Sequence, residues 1–143
     1  HLTPGARVLD LGSGSGILAI AAVRLGAIRA TGIEVDQEVE PIARDNAARN
    51  GVADSVTFVT GDAAALAPLL GPVELLLSNI LRSVNVALLP AIRRSLVPGG
   101  IAIFAGMERE ERKDFLAELA VAGFTLIDEA VDDAWWGAAA RVP

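Results

Sequence analysis

The sequence predicts an α/β domain: a doubly wound, mostly parallel sheet of seven strands, closed at one edge by an antiparallel hairpin and covered by helices on both faces. Three observations carry that prediction. Short apolar runs alternate with segments of helical period, the pattern of parallel strands joined by right-handed crossovers. Three closely spaced glycines, Gly12, Gly14 and Gly16, follow the first apolar run and open the first helical segment. The last two apolar runs lie too close together for a crossover helix, so they pair antiparallel.

Taken in order, Arg7–Leu11 (RVLDL) is a short apolar strand before the glycines. Ser15–Leu25 places Ile17, Leu18, Ala21, Ala22 and Leu25 at helical spacing. Ile28–Glu34 is the second strand. Gln37–Asn50 is a helix with Asp36 as N-cap and Gly51 as its stop. Ser55–Thr60 (SVTFVT) alternates and is β-branched, the third strand. Ala63–Leu70 is a short helix ended by Gly71-Pro72, and Val73–Ser78 the fourth strand. Asn85–Leu96 is helical, with Pro90 forcing a kink or a late start. Pro98-Gly99-Gly100 is read as a turn into the fifth strand, Ile101–Gly106. Arg109–Ala122 is an amphipathic helix whose Arg109–Arg112 stretch is a solvated face. Phe124–Val131 and Trp135–Val142 form the closing hairpin around Asp132-Asp133. Adjacent strand residues point to opposite faces, so one of Trp135 and Trp136 belongs to the core and the other lines a cleft or an interface.

Composition narrows the chemistry. The 143 residues suit one domain, and 52% are hydrophobic. Cysteine is absent, which removes disulfides, thiolate zinc sites and cysteine nucleophiles. The single histidine is His1, which leaves no Ser-His-Asp triad and no histidine metal site, so no metal is expected. Net charge is −6 and the single lysine is Lys113; without a basic stripe, no direct nucleic-acid partner is expected. No apolar stretch approaches a membrane span and no signal peptide is evident, so a cytoplasmic protein is expected. The abrupt start at His1 reads as a fragment of a longer protein, of unspecified oligomeric state.

The glycine loop carries the functional signal. Asp10-Leu-Gly12-Ser13-Gly14-Ser-Gly16 lets backbone approach a ligand closely, and the helix start favours an anion or carboxylate. A dinucleotide fingerprint wants Gly or Ala where Ile17 stands, and no Gly-Lys-Ser/Thr follows as in a P-loop. Glu34 ends the second strand, where a carboxylate accepts both hydroxyls of a ribose. Asp36 is a second carboxylate nearby or only a helix cap. Asp62 follows Gly61 at the third strand's end; it faces an adenine, caps the next helix, or does both.

With these residues in place, the chain resembles the class I methyltransferases, which use S-adenosylmethionine in a Rossmann-like fold, along nearly its whole length. A narrower resemblance, to the PrmA-type methyltransferases of large-subunit ribosomal protein eleven, rests on VLDLGSGSGILAIAAVRLGA (Val8–Ala27), SNIL (Ser78–Leu81) and VPGG (Val97–Gly100). The resemblance implies S-adenosyl-L-methionine as cofactor, S-adenosyl-L-homocysteine as product and a protein, in particular a ribosomal protein, as substrate. It places Gly12, Gly14 and Gly16 along the methionine moiety, Glu34 on the ribose, Asp62 at adenine and Asn79 beside the transferred methyl. Asp10, Ser13, Val35 and Ala63 complete the implied cofactor set, with Asn79 both cofactor contact and catalytic residue. That family usually has Cys where Ser13 stands, Asp where Glu34 stands and small-x-Pro-Leu where this chain has Arg82-Ser83-Val84-Asn85. Residues 1–143 are accordingly expected to be a catalytic domain without its N-terminal substrate-recognition segment.

Rival readings stay open at this stage. They are a methyltransferase for a small molecule or another protein, a nicotinamide oxidoreductase, and a non-enzymatic cofactor-binding module. An amide or adenine methyltransferase would show Asn-Pro-Pro-aromatic where this chain has Asn79-Ile80-Leu81-Arg82.

Overall fold

Leu9 and Leu11 alternate along the chain with Val8 and Asp10, and all four are buried. The first strand, β1 (Arg7–Leu11), is thus covered on both faces, as the centre of a parallel sheet must be. The computed structural model, which describes residues 1–143, continues as α1 (Ile17–Arg24), β2 (Arg29–Glu34), α2 (Glu40–Arg49), β3 (Val56–Thr60), α3 (Ala63–Leu70), β4 (Val73–Asn79), α4 (Arg82–Arg94) and β5 (Leu96–Glu108). A 3-10 turn (Arg109–Glu111), α5 (Arg112–Val121), β6 (Thr125–Asp132) and β7 (Trp135–Arg141) follow.

The seven strands lie in the order β3-β2-β1-β4-β5-β7-β6. All pairs are parallel except β5–β7 and β6–β7, so the closing hairpin is the antiparallel edge the sequence predicts. The chain winds outward from β1 through β2 to β3, then returns to lay β4 on β1's other side. The carboxyl ends of β1 and β4 therefore flank the switch point, where ligands bind in such sheets.

Two cores stabilise the layers. On one face α3, α4 and α5 cover a cluster that includes Leu9, Leu76, Leu89, Ile92, Phe104, Phe115 and Trp136. Phe104, Phe115 and Trp136 meet edge to face at centroid distances of 5.2 and 6.1 Å. On the other face α1 and α2 press small residues, Ala19, Ala22, Ala43 and Ala47, onto Val8, Ala30, Phe58 and Leu75. Beyond β4 on this second face, Ile103 and Ala105 of β5 are only half-buried. An apolar groove of about 360 Å³ runs between them and α1, with His1 and Leu2 along its lip.

Several element boundaries differ from the sequence expectation; among them, α5 begins at Arg112 because Arg109–Glu111 form a 3-10 turn. Helix α1 begins at Ile17 because Gly16, at φ 81°, is its N-cap. Helix α2 begins at Glu40: Asp36 accepts from the Glu38 N–H at 2.9 Å and caps a preceding turn instead of the helix. Helix α4 begins at Arg82, three residues early, and continues on both sides of Pro90; its N-cap is Leu81, which has no side-chain acceptor. Strand β5 begins at Leu96. It pairs with Val73, bulges through Val97–Gly100 and resumes with Ile101 opposite Leu75, so the expected turn is an interruption within the strand.

Candidate functional site

Asp10 is 1% exposed, and its Oδ2 accepts the Ala19 N–H from the first turn of α1 at 3.1 Å. That bond ties the carboxyl end of β1 to the helix and bends the glycine segment between them. Burial pushes the Asp10 carboxyl up to about 7; the Ala19 bond opposes this, and the nearby Glu34 charge adds to it.

The loop's N–H groups are largely spent inside the protein. Gly12 and Ser13 donate to the Ile33 carbonyl, Gly14 donates to Glu34 Oε2 at 2.9 Å, and Gly16 donates to Ser13 O. Shape is therefore what the glycines contribute. A Cβ on Gly12 would stand 2.6 Å from the Ile80 side chain, and one on Gly16 would stand 2.5 Å from Phe58, whereas Gly14 faces open space.

Glu34 stands at the end of β2. Its Oε1 accepts from Val35 and Asp36 N–H at 2.8 and 3.1 Å, while Oε2 holds Gly14. Two oxygens offer about four acceptor positions, so one is free and a second opens if Gly14 is released. That matches a ligand presenting two adjacent hydroxyls.

Glu34 opens onto a cleft of about 550 Å³ lined by Gly12, Ile33, Glu34, Val35, Gly61, Asp62, Ala63, Ile80, Leu81, Val84 and Leu88. One wall is apolar, supplied by the β4–α4 junction; the other carries the two carboxylates. Asp62 Oδ1 caps α3 through the Ala64 N–H at 2.9 Å, which leaves Oδ2 to accept from a ligand. The cap and the ligand contact are thus compatible.

Asn79 ends β4 opposite Ala105, exposed and at the head of the apolar groove, with Ile80 reaching into the cleft on its other side. Behind it lies a support that the sequence reading missed. Asn85 is fully buried; its Oδ1 accepts from the Ser78 hydroxyl at 2.6 Å and its Nδ2 donates to the Ile80 carbonyl at 3.1 Å. The backbone either side of Asn79 is thereby pinned to the first turn of α4. Gly106 completes the fit, since a Cβ there would approach Asn79 Oδ1 and the Ile80 backbone to 2.9 Å.

Of the expected residues, Gly12, Glu34, Val35, Asp62 and Ala63 share the cleft, and Gly14 is bonded to Glu34. Asp10, Ser13 and Gly16 lie beneath it. The Ser13 hydroxyl is buried without a partner, and a Cβ on Gly32 would fall 2.7 Å from it, so Ser13 packs against β2 and does not line the cleft. Ile80, Leu81 and Val84 line it unforeseen; their only sequence signal is apolar character on an exposed helix start.

Comparison with known proteins gives the family and the fold. The sequence model of the family described as ribosomal protein L11 methyltransferase (PrmA) matches residues 1–142. The ribosomal protein L11 methyltransferase of Thermus thermophilus is 43% identical over 135 residues, covering 94% of this chain and 52% of that protein. The chain spans about half the length of the curated relatives it matches. Among solved structures, a ribosomal protein L11 methylase from Lactobacillus delbrueckii subsp. bulgaricus superposes with a TM-score of 0.89 at 31% identity, over 99% of this chain and 72% of that one. An RNA methyltransferase from Salinibacter ruber, in complex with S-adenosyl-L-homocysteine, gives 0.78 at 27% identity over 96% and 81%. With its doubly wound sheet, its glycine loop at the switch point and a family match along all but its last residue, this chain belongs to the ribosomal protein L11 methyltransferase family.

Proposed function

We propose that the chain is the cofactor-binding and catalytic part of an S-adenosylmethionine-dependent protein methyltransferase whose acceptor is an amino group of ribosomal protein L11, a cytoplasmic target. The observation that carries the reading is the cleft at the switch point, with Glu34 and Asp62 on one wall and, beyond Ile80, the neighbouring groove headed by Asn79. Glu34 would hold the ribose hydroxyls, Asp62 Oδ2 the exocyclic amine of adenine, and Ile80, Leu81 and Val84 the faces of the base. Gly12 and Gly14 leave room for the methionine portion. When bound, S-adenosylmethionine supplies a methyl group already activated by a sulfonium charge, so the protein's task is positioning.

Asn79 performs that positioning. Its side-chain oxygen accepts a hydrogen bond from the acceptor amine, and the Ser78–Asn85–Ile80 bonds hold its backbone at a fixed height above the sheet. A lysine amine is protonated near neutral pH, with a pKa of about 10.4. Its deprotonation to water precedes attack, since no titratable side chain lines the groove beside Asn79 except His1. Acceptor recognition is shared with chain beyond these residues, as the greater length of the relatives suggests. Incubating the full-length protein with S-adenosylmethionine and purified ribosomal protein L11, followed by peptide mass spectrometry, tests the proposal. Methylated amino groups on L11 are expected; an unmodified L11 beside a methylated small molecule would refute it.

A further inference from the structure

The two neighbouring tryptophans have opposite surroundings. Trp136 is 2% exposed in the core and donates its Nε1–H to Glu129 at 3.1 Å. Trp135 is 58% exposed. The strand register shows what lies beside it: Trp135 is directly opposite Glu108 of β5 on one side and Asp132 of β6 on the other. Directly opposed residues share a sheet face with Cβ atoms roughly 5 Å apart. An exposed indole thus sits between two carboxylates in one row across three strands.

The row is placed to meet a substrate. Alternation along β4 puts Asn79 on the same face as Leu75 and Leu77, the face without a helix beyond β4, and Asn79 is paired with Ala105. Glu108 lies three residues further along β5 on the same carboxyl edge, and the register shift between Phe104 and Met107, both in the core, returns it to the face of Ala105. Strands about 4.8 Å apart and a rise of about 3.3 Å per residue put Trp135 roughly 14 Å from Asn79, across two strands. An extended polypeptide covers that distance in about four residues.

The surrounding charge selects the sign of the partner. Glu108, Glu110, Asp132 and Asp133 form no salt bridge, and Arg109 is the one cation among them. An aromatic face flanked by carboxylates suits an ammonium or guanidinium group, through cation–π attraction and charge pairing together. We propose that Trp135, with Glu108 and Asp132, docks a lysine or arginine side chain of the acceptor polypeptide, about three to five residues from the amine presented at Asn79. This rests on the protein-methyltransferase reading above and deepens it: the acceptor is recognised as a basic, extended segment.

The test uses the full-length protein with S-adenosylmethionine at saturation and ribosomal protein L11 as acceptor. Trp135→Ala should raise KM for L11 roughly five- to thirtyfold with kcat and S-adenosylhomocysteine affinity unchanged. Trp135→Phe, which keeps an aromatic face, should recover most of that loss. Glu108→Gln with Asp132→Asn should raise KM and flatten its salt dependence. An unchanged KM in Trp135→Ala, or an equal loss of S-adenosylhomocysteine binding, overturns the proposal. So does acrylamide quenching that is the same in wild type and Trp135→Ala before any acceptor is added, since Trp136 is shielded in both. Should wild-type protein leave L11 unmethylated, the functional reading fails, and a lysine-rich peptide then tests the patch alone. Protection of Trp135 from acrylamide by that peptide, absent in the Glu108→Gln, Asp132→Asn variant, supports it; no protection overturns it.

Discussion

Replacing Asp10 by asparagine should remove a pH dependence from the stability of this fold. The carboxyl is 1% exposed and pushed up to about 7, against about 3.9 in an unfolded chain. At 1.36 kcal/mol per pH unit, that gap corresponds to about 4 kcal/mol. Because the folded value is raised, the protonated form favours folding. The contribution is complete below about pH 4, declines as pH rises, and is lost above about pH 7. The substituted amide would not ionise, and its oxygen can still accept the Ala19 N–H; its amide hydrogens meet the same buried surroundings as the protonated carboxyl does. Near pH 4.5 the variant should match the wild type to within about 1–2 kcal/mol. By pH 8 it should be more stable by a few kcal/mol. Glu40, Glu74 and Glu129 are shifted down by their partners, so their contributions appear above their unfolded values and fade as pH falls. They are common to both proteins and cancel in the difference. Urea unfolding at half-unit pH steps from 4.5 to 8.5 measures it. Parallel stability curves would refute the burial argument, and a variant uniformly weaker at every pH would show that Asp10 acts through its charge on α1.

Other substitutions test the site. Glu34→Ala should weaken S-adenosylhomocysteine binding ten- to hundredfold by calorimetry, and should also lower stability by about 1–3 kcal/mol, because Gly14, Val35 and Asp36 lose their acceptor. An unchanged dissociation constant would remove Glu34 from the ribose site. Gly16→Ala places a Cβ at φ 81° against Phe58 and should cost about 2–4 kcal/mol in urea unfolding; a loss under 1 kcal/mol would show that Phe58 yields freely. Asn79→Ala should lower kcat and kcat/KM together in single-turnover methylation while leaving S-adenosylhomocysteine affinity intact. Strong loss of that affinity with an intact saturated rate would make Asn79 a cofactor ligand instead. Asn85→Leu strands the Ser78 hydroxyl and the Ile80 carbonyl; about 2–4 kcal/mol of stability and most of the turnover should go with them, and a fully active variant would contradict the pinning of Asn79.

The sheet was legible in the sequence because each strand announces itself by local means. SVTFVT alternates, VLDL precedes glycines, and the closing runs leave no room for a crossover. Helix starts were legible only where a side chain caps them. Asp62 marks α3, but Leu81 caps α4 with backbone alone, and nothing at Arg82 betrays the earlier start. Pro98-Gly99-Gly100 reads as a turn, and only the pairing of Val73 with Leu96 shows the chain already in the sheet before it. The glycine pattern gave the loop's shape but not the partners of its N–H groups, which are set by Ile33 and Glu34 across the fold. Asn85 looked like the first residue of a helix. Its role depends on a return from α4 to β4 that no local signal encodes. Trp135 and Trp136 followed their alternation, one inside and one out.

Strand β6 ends the sheet, and nearly all of its residues are exposed, including Leu126 and Val131. A hydrogen-bonding edge of this kind invites a second chain to extend it. Here Asp132 stands along it without a salt bridge, while Asp128 and Glu129 are paired with His1 and Arg112, so two identical edges brought together would set charged side chains against one another. Edge-to-edge pairing of copies is therefore expected to be disfavoured, and Asp132→Asn should lower the concentration at which the protein self-associates.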